Sequence, residues 1–316
     1  MPVDYTVTRL INSVERRAGF PTKQGLYTDA DFVAFFNEAM MQEIVPEIMR
    51  VREEFFLASD VQTIVAGQAD YPIPTNAIGQ KVRSVELFDP SDTYGTNFVV
   101  IARADIENLG SRSGPASNGT VYYMNGNNIT LYPTPQNGSP AYSLRLRYYR
   151  KPNELVEPTE GAVINAIDTG TGVVSVASIP GSWSSSTVLD FTKGRAPFSL
   201  SAEGITPSDV TGTDITVDLT TAASLVVGDT IAETGYAIIA QLAMPEAHRL
   251  LEEACVMNVL EGIDDSDGLA RASTRYMRYL ENLRTIITPR DDAGMRKIVA
   301  GDDLYNASGS TRGSFY

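Results

Sequence analysis

Residue types on which many enzymes and metal proteins depend are almost missing from this sequence. Its 316 residues include one cysteine, Cys255, one histidine, His248, and one tryptophan, Trp183. A single cysteine excludes a disulfide bond within the chain, and one histidine with one cysteine cannot supply the ligands of a usual zinc site. We interpret Cys255 as a small core residue of a helix and His248 as a residue at the surface or the cap of a helix.

Motifs for catalysis and cofactor binding are missing as well. No Gly-rich loop matches the dinucleotide-binding or P-loop pattern, and no Gly-x-Ser-x-Gly elbow is present. The densest carboxylate group, Asp264, Asp265 and Asp267, lacks the distal glutamate of a calcium loop. We interpret it as a turn in which an aspartate caps the next helix, with a weak cation site as the alternative. The sequence predicts no catalytic residue, no metal site and no cofactor, and therefore a protein that is not an enzyme.

Positive charge is scarce too, with 25 Lys and Arg against 39 Asp and Glu, a formal net charge of −14. A protein that binds free nucleic acid needs Lys and Arg to replace counterions on the phosphates, so the acidic balance argues against that role and against anionic membranes. It does not forbid a channel through which DNA slides, because a wall that repels phosphate lets DNA pass without sticking. No run reaches the ~20 apolar residues of a membrane span, and residues 1–20 do not resemble a signal peptide. We expect a soluble protein made in a reducing cytoplasm.

Helical periodicity is confined to the two ends of the chain. Val7 to Ala18 keeps an apolar face, and Thr28 with Asp31 resembles a capping box before a second apolar stripe. Pro46 lies inside that stripe and should kink or split the helix near Ile44.

The helical signal returns near the C-terminus. Pro245 suits the first turn of a helix, and a last helix is predicted from about Leu269 to Ile287, after a turn at Gly262–Gly268. Because helices bracket the rest of the chain, we expect them to pack into one bundle.

Strand signals fill the middle of the chain. Between residues 59 and 153 the clearest is a hairpin, in which Val121–Met124 leads through Asn125–Asn128 into Ile129–Tyr132. From Glu154 to Ala240 the composition shifts to Gly, Ser, Thr and Val, which we interpret as a separate small β domain inserted into the first. Its strand candidates are Val163–Ile167, Val173–Val176, Ile215–Leu219 and Thr230–Glu233.

The predicted fold class is therefore α+β, with an α-helical bundle of terminal helices, an antiparallel β region and an inserted small β-barrel or sandwich. The predicted parts are N-terminal bundle helices (1–58), the antiparallel β region (59–153), the inserted β domain (154–240), C-terminal bundle helices (241–289) and an extended tail (290–316). The tail is too polar to fold alone.

Arginine and tyrosine are concentrated on the last helix. The spacing places Arg271, Arg275 and Arg278 on one side of it, with Tyr276 and Tyr279 nearby. Three interpretations stay open: a solvated helix face, a contact between subunits, for which Arg and Tyr are well suited, or DNA binding. We take these five residues as candidates for an inter-subunit contact.

At this point the chain resembles a known family, the head-to-tail adaptor (connector) proteins of tailed bacteriophages, of the type with an inserted β domain. The segments that carry the resemblance are Tyr27–Ala39, Val61–Val65 with Ala69–Pro74, Asn128–Pro135 followed by Leu144–Pro152, Val227–Ala232 leading into Met244–His248, and Thr288–Arg290.

The resemblance implies a structural adaptor in the virion neck, between head and tail. Such adaptors form a ring with the portal's symmetry, usually twelvefold, and genomic DNA passes through its lumen without sequence-specific binding. It implies three protein partners: the portal, a tail or nozzle protein, and further copies of this chain. The bundle would pack against its neighbours in the ring, and the inserted domain would decorate the ring or hold an accessory protein.

The resemblance also implies that the C-terminal tail reaches the portal. A tail that cannot fold alone can become ordered on a partner, and a frayed terminus is the alternative. The candidate portal-binding residues are Arg290, Arg296, Lys297, Ile298, Val299, Leu304, Tyr305, Arg312, Phe315 and Tyr316.

Two rival functions remain at this level. One is another virion structural protein, such as a tail or baseplate component, although the helical ends argue against it. The other is a protein that binds or hydrolyses carbohydrate through its β parts, which would have only Trp183 as a tryptophan platform for a sugar.

Overall fold

The structure is a computed structural model, and its elements follow one another as helices, a first group of strands, a second group of strands, and helices. This order confirms the α+β class. The residues that it describes are 5–19, 26–89, 98–108, 120–136, 143–242 and 244–288.

The N-terminal helices are α1 (Val7–Ala18), α2 (Asp29–Ala39) and α3 (Val45–Arg52). The capping box predicted before α2 is confirmed. Thr28 Oγ1 accepts from the Asp31 amide at 3.3 Å, and the Asp31 carboxylate accepts from the Thr28 amide at 2.7 Å. These two bonds satisfy amides that a helix start otherwise leaves free.

The helix is split near Pro46, as its sequence predicts. A π-helical turn, Met40–Ile44, separates α2 from α3, and Pro46 is the second residue of α3. A proline inside a helix has no amide hydrogen to donate and its ring crowds the preceding turn, so the wider turn lies just before it.

The first seven strands form one sheet in the order β1-β7-β3-β4-β5-β6-β2. They are β1 (Leu57–Thr63), β2 (Asp70–Pro72), β3 (Ala77–Phe88), β4 (Phe98–Arg103), β5 (Val121–Asn125), β6 (Asn128–Tyr132) and β7 (Ser143–Arg150). The predicted β5–β6 hairpin is confirmed, with Gly126 in the left-handed region at φ 58°. Gln62 Nε2, on edge strand β1, donates to the Pro72 carbonyl of edge strand β2 at 2.7 Å. The sheet therefore curls into a nearly closed barrel.

A second seven-stranded sheet follows, in the order β12-β11-β15-β9-β10-β14-β13. The elements of this region are β8 (Glu154–Leu155), β9 (Gly161–Asp168), β10 (Val173–Val176), β11 (Leu189–Thr192), β12 (Leu200–Ile205), β13 (Asp209–Thr211), β14 (Asp214–Thr216), α4 (Leu219–Ser224), β15 (Thr230–Glu233) and β16 (Tyr236–Ala237). Strands β8 and β16 pair in parallel where the chain leaves the first sheet and returns from the second. All strands of the second sheet fall inside the predicted insertion, 154–240.

One strand predicted in this region is wrong in its second half. The sequence predicts a strand over Ile215–Leu219, but β14 ends at Thr216 and Leu219 is the first residue of α4. The reason is a helix cap, since the Asp218 carboxylate accepts from the Thr221 amide at 2.9 Å.

The chain returns to the bundle through α5 (Pro245–Gly262) and α6 (Ser266–Ile287). Helix α6 starts three residues before the predicted Leu269, because Asp265 caps it by accepting from the Gly268 amide at 2.9 Å. The terminal helices share one core, which confirms the predicted bundle. Buried residues from α1, α2, α3, α5 and α6 include Leu10, Phe36, Ile48, Leu251 and Leu283. Within the described ranges, no helix has the length and apolar character needed to cross a membrane.

Candidate interaction surfaces

The outer side of α6 carries exposed arginines. Arg271 and Arg278 are exposed, and neither forms an ion pair with a carboxylate among the described residues. Arg275 lies beside them, but its Nε donates to both Glu253 carboxylate oxygens on α5, at 3.2 and 3.1 Å. The three arginines therefore lie on one side of α6, as predicted, and one of them, Arg275, is paired with a glutamate of its own subunit.

The two tyrosines of α6 point back toward the bundle. Tyr276 is half-buried, and its hydroxyl donates to the Glu43 carboxylate at 2.6 Å. Burial, together with that carboxylate, raises the pKa of Tyr276 above its ordinary value. Tyr279 packs against the helical core, and the Arg278 guanidinium lies 5.4 Å from its ring centre. Both tyrosines contact their own subunit, so Arg271 and Arg278 are the most accessible of the five inter-subunit candidates, whose assignment stays a prediction.

Strand β4 exposes apolar side chains that sequence reasoning did not single out. Phe98, Val99 and Val100 are 42%, 63% and 57% exposed, while the next residue, Ile101, is buried. Pairing with β5 starts only at Ala102. The sequence signal that could have identified this exposed surface is the apolar run Phe98–Ile101, which lacks the alternation of a half-buried strand.

A groove with a cavity volume of about 420 Å³ lies where the bundle, the first barrel and the second sheet meet. Its polar wall includes Arg150, which bonds to Glu203 and to Asn153. We call it the junction groove; it is lined by Glu54, Phe55, Phe56, Leu57, Ala58, Arg150, Pro152, Pro197, Phe198, Ser199, Leu200 and Gln241. Its residues come from distant chain segments, so no local pattern in the sequence could predict it.

The predicted portal-binding residues lie outside the described residues. They are Arg290, Arg296, Lys297, Ile298, Val299, Leu304, Tyr305, Arg312, Phe315 and Tyr316. Their assignment stays a prediction.

The surface position expected for His248 is wrong, because its side chain is fully buried. Its ring packs between Tyr5 and Phe198, with centroid distances of 4.4 and 4.6 Å. Nδ1 lies 3.1 Å from the Met244 carbonyl oxygen and Nε2 lies 2.9 Å from that of Ala240. Both nitrogens thus face backbone acceptors of the same chain, which makes His248 part of the core.

Burial of His248 predicts a pH-dependent stability. Desolvation lowers the pKa of His248 from 6.5 to about 4, so below pH 6.5 the unfolded chain binds a proton that the folded chain does not. The resulting stability is complete above that pH and is lost as the pH falls towards about 4. Between neutral pH and about pH 4.5 we expect the wild-type chain to lose about 2–3 kcal/mol more of its unfolding free energy than His248→Gln. Urea unfolding at both pH values measures this; equal losses would contradict it.

The other residues considered for a chemical role, Cys255, Asp265 and Trp183, take part in the packing or capping of the fold. Cys255 is buried in the bundle, where desolvation raises the pKa of its thiol. Asp265 caps α6, as predicted, and Trp183 is 93% buried in the core of the second sheet, which leaves no open indole platform for a sugar. Among the described residues, no three His, Cys, Asp or Glu side chains are gathered to hold a metal ion.

Comparison with known proteins gives one family. The chain matches no curated protein. The model of the SU10 adaptor protein family matches residues 5–176, from the residues before α1 through the whole first barrel to the end of β10. This match covers more than half of the chain and includes the N-terminal helices of the bundle. The chain therefore belongs to the SU10 adaptor protein family, a family of structural phage proteins that is not known for enzymes.

Proposed function

We propose that this protein is the subunit of a ring in the phage neck, where it joins the portal to the tail and lines the DNA channel. Membership of the adaptor family supports a structural role in the virion. The net charge of −14 supports the channel, because an acidic wall repels the phosphates of passing DNA.

The observation that carries the proposal is the outer side of α6. Arg271 and Arg278 are exposed there without a carboxylate partner among the described residues, in a chain with a large excess of acidic residues. A ring of identical subunits is built from head-to-tail contacts, in which one surface of each subunit binds a different, complementary surface of its neighbour. Exposed carboxylates at the start of the bundle, such as Asp29 and Glu38 on α2, supply opposite charge for the arginines of a neighbour.

The proposed portal contact is the tail, residues 290–316. Its scattered apolar and basic residues suit a segment that becomes ordered on a partner. In this arrangement α6 holds neighbouring subunits together while the tail that follows it attaches each subunit to the portal. The two contacts can therefore be removed separately.

The test is to mix the purified chain with the portal protein of the same phage and to count subunits on each portal by electron microscopy. We expect the full chain to form complete rings, and a chain that lacks residues 290–316 to leave portals bare. Arg271→Glu with Arg278→Glu is expected to reduce complete rings at least tenfold, because like charges at an interface cost more than the ~1.4 kcal/mol that a factor of ten represents.

The matched control is Arg103→Glu with Arg9→Glu, which applies the same charge change at exposed arginines of β4 and α1. This control should form rings as the wild-type chain does. Complete rings from the α6 variant would refute the lateral contact, and rings from the shortened chain would refute the portal contact.

A further inference from the structure

We propose that, before it meets any partner, the subunit holds its own C-terminal tail in the junction groove, with Ile298–Ala300 as the occupant. This contact would belong to the free subunit and would be exchanged for another when the tail is taken up elsewhere. It goes beyond the proposed function, which concerns only the assembled ring, and it can hold or fail independently of it.

The junction groove has the composition of a binding site for an apolar segment. Phenylalanine, leucine and proline side chains dominate its lining. Phe55 remains 37% exposed on one wall, while Phe198 on the other is buried against Tyr5 and His248. Concave apolar surfaces with a few polar groups are the usual form of a ligand site.

The tail starts close to this groove. Helix α6 runs in the same direction as α3, since Tyr276 contacts Glu43 and, further along both segments, Arg284 contacts Glu47. From Glu47, α3 rises about 7.5 Å to its last residue, Arg52, and α6 ends about 6 Å beyond Arg284, so the two helix ends are nearly level. Phe55 lies in the 3-10 turn Glu53–Phe56 that follows Arg52.

The length of chain between the end of α6 and the proposed occupant is sufficient. The nine residues from 289 to 297 span up to ~30 Å when extended. The lateral distance of ~8–10 Å between packed helices, with at most ~11 Å for the three residues from Arg52 to Phe55, is within that reach.

The order of chemical groups in the tail matches the order of groups along the groove. Ile298–Ala300 is the longest aliphatic run after residue 288, with Arg296 and Lys297 before it and Asp302 and Asp303 after it. On the groove, the wall that follows α3 carries the exposed carboxylate of Glu54, 3.8 Å from Arg83. Arg150, which forms an ion pair with Glu203, lies on the wall formed by the end of β7. A tail arriving from α6 would meet acid first, then the apolar floor, then base.

Disulfide trapping in the full chain, without portal, tests the inference. Ser199→Cys places a thiol on the exposed rim of the groove and Val299→Cys places one on the tail, while Cys255 stays buried and unreactive. The control pair uses Thr169→Cys with Val299→Cys, since Thr169 follows a strand that runs about 25 Å away from Gly161 at the base of the second sheet. We expect the groove pair to close within one chain at least about tenfold faster than the control pair.

Adding Phe55→Glu to the groove pair should lower the trapping rate to that of the control, while circular dichroism checks that the chain stays folded. Equal rates for the two pairs would overturn the inference. So would a groove pair that is insensitive to Phe55→Glu, or one that closes only between two chains, which would make a second copy the occupant. Because no portal is present, failure here leaves the ring proposal standing, and bare portals in the ring experiment leave this one standing.

Discussion

Replacing Asp190 with alanine is expected to lower the unfolding free energy by about 2–4 kcal/mol, because it leaves the buried Asn153 amide without its acceptor and removes three further hydrogen bonds. The Asp190 side chain on β11 is fully buried. It accepts from Asn153 Nδ2 at 2.7 Å, from the amides of Gly204 and Gly235 at 2.8 and 3.1 Å, and from Thr234 Oγ1 at 3.2 Å. The buried Asn153 amide left unpaired costs about 1–3 kcal/mol. The donors on the exposed residues Gly204, Thr234 and Gly235 lose less, since water can replace Asp190 there.

These bonds join the second sheet to the rest of the protein. Asn153 follows β7 of the first barrel, and its side chain also donates to the Tyr236 carbonyl at 3.1 Å, on the returning strand β16. Asp190 therefore fixes the point where the chain leaves the first barrel against the point where it returns. Loss of Asp190 should release the second sheet from the bundle as well as destabilise it.

Urea unfolding, followed by circular dichroism and by the fluorescence of Trp183 in the second sheet, measures both effects. Asp209→Ala is the matched control, since Asp209 is exposed on β13 of the same sheet and its carboxylate accepts from the nearby Thr211 hydroxyl. It should stay within about 0.5 kcal/mol of the wild-type chain. Asp190→Asn keeps the shape but turns one acceptor into a donor, so it should rank near Asp190→Ala. A loss below about 1 kcal/mol for Asp190→Ala would contradict the argument.

Features predicted from the sequence are those that short segments determine. The helix over Val7–Ala18 has the predicted bounds, and the split at Pro46 and the cap at Thr28 lie where predicted. In each case the cause lies within about one turn of its effect: the left-handed Gly19 that ends α1, the missing amide hydrogen of Pro46, or the Thr28 side chain that caps α2.

Features that depend on contacts between distant parts of the chain were not predicted from the sequence. Strands β11 and β12 were not predicted; they are short and their pairing shifts register. His248 was expected at the surface, yet contacts with Tyr5 and Phe198, from opposite parts of the chain, bury it.

The same distinction applies to the candidate inter-subunit arginines of α6. Helical spacing alone predicts that Arg271, Arg275 and Arg278 share a side of α6. It cannot predict which of them is bound within the subunit, because Glu253, the partner of Arg275, belongs to another helix.

Replacing Glu253 with glutamine is expected to destabilise the bundle by about 2–4 kcal/mol. The Glu253 side chain is 1% exposed on α5 and lies between two guanidinium groups, with Arg17 Nη1 at 2.5 Å and Arg275 Nε at 3.1 Å. Loss of the Glu253 charge leaves Arg275 without its carboxylate, whereas Arg17 keeps Glu252 at 2.7 Å. Breaking an ion pair costs about 3–5 kcal/mol when both partners are buried. Arg17 and Arg275 are 29% and 36% exposed, so water compensates part of that loss.

The measurement is urea unfolding of Glu253→Gln beside Glu261→Gln, an exposed glutamate in the last turn of the same helix, which should change stability by less than about 0.5 kcal/mol. A double-mutant cycle with Arg275→Gln isolates the α5–α6 pair, and its coupling energy should exceed the 0.2–1 kcal/mol of an exposed pair. A coupling near zero would mean that Arg17 alone balances Glu253. In that case Arg275 would be available, with Arg271 and Arg278, for the contact proposed between neighbouring subunits.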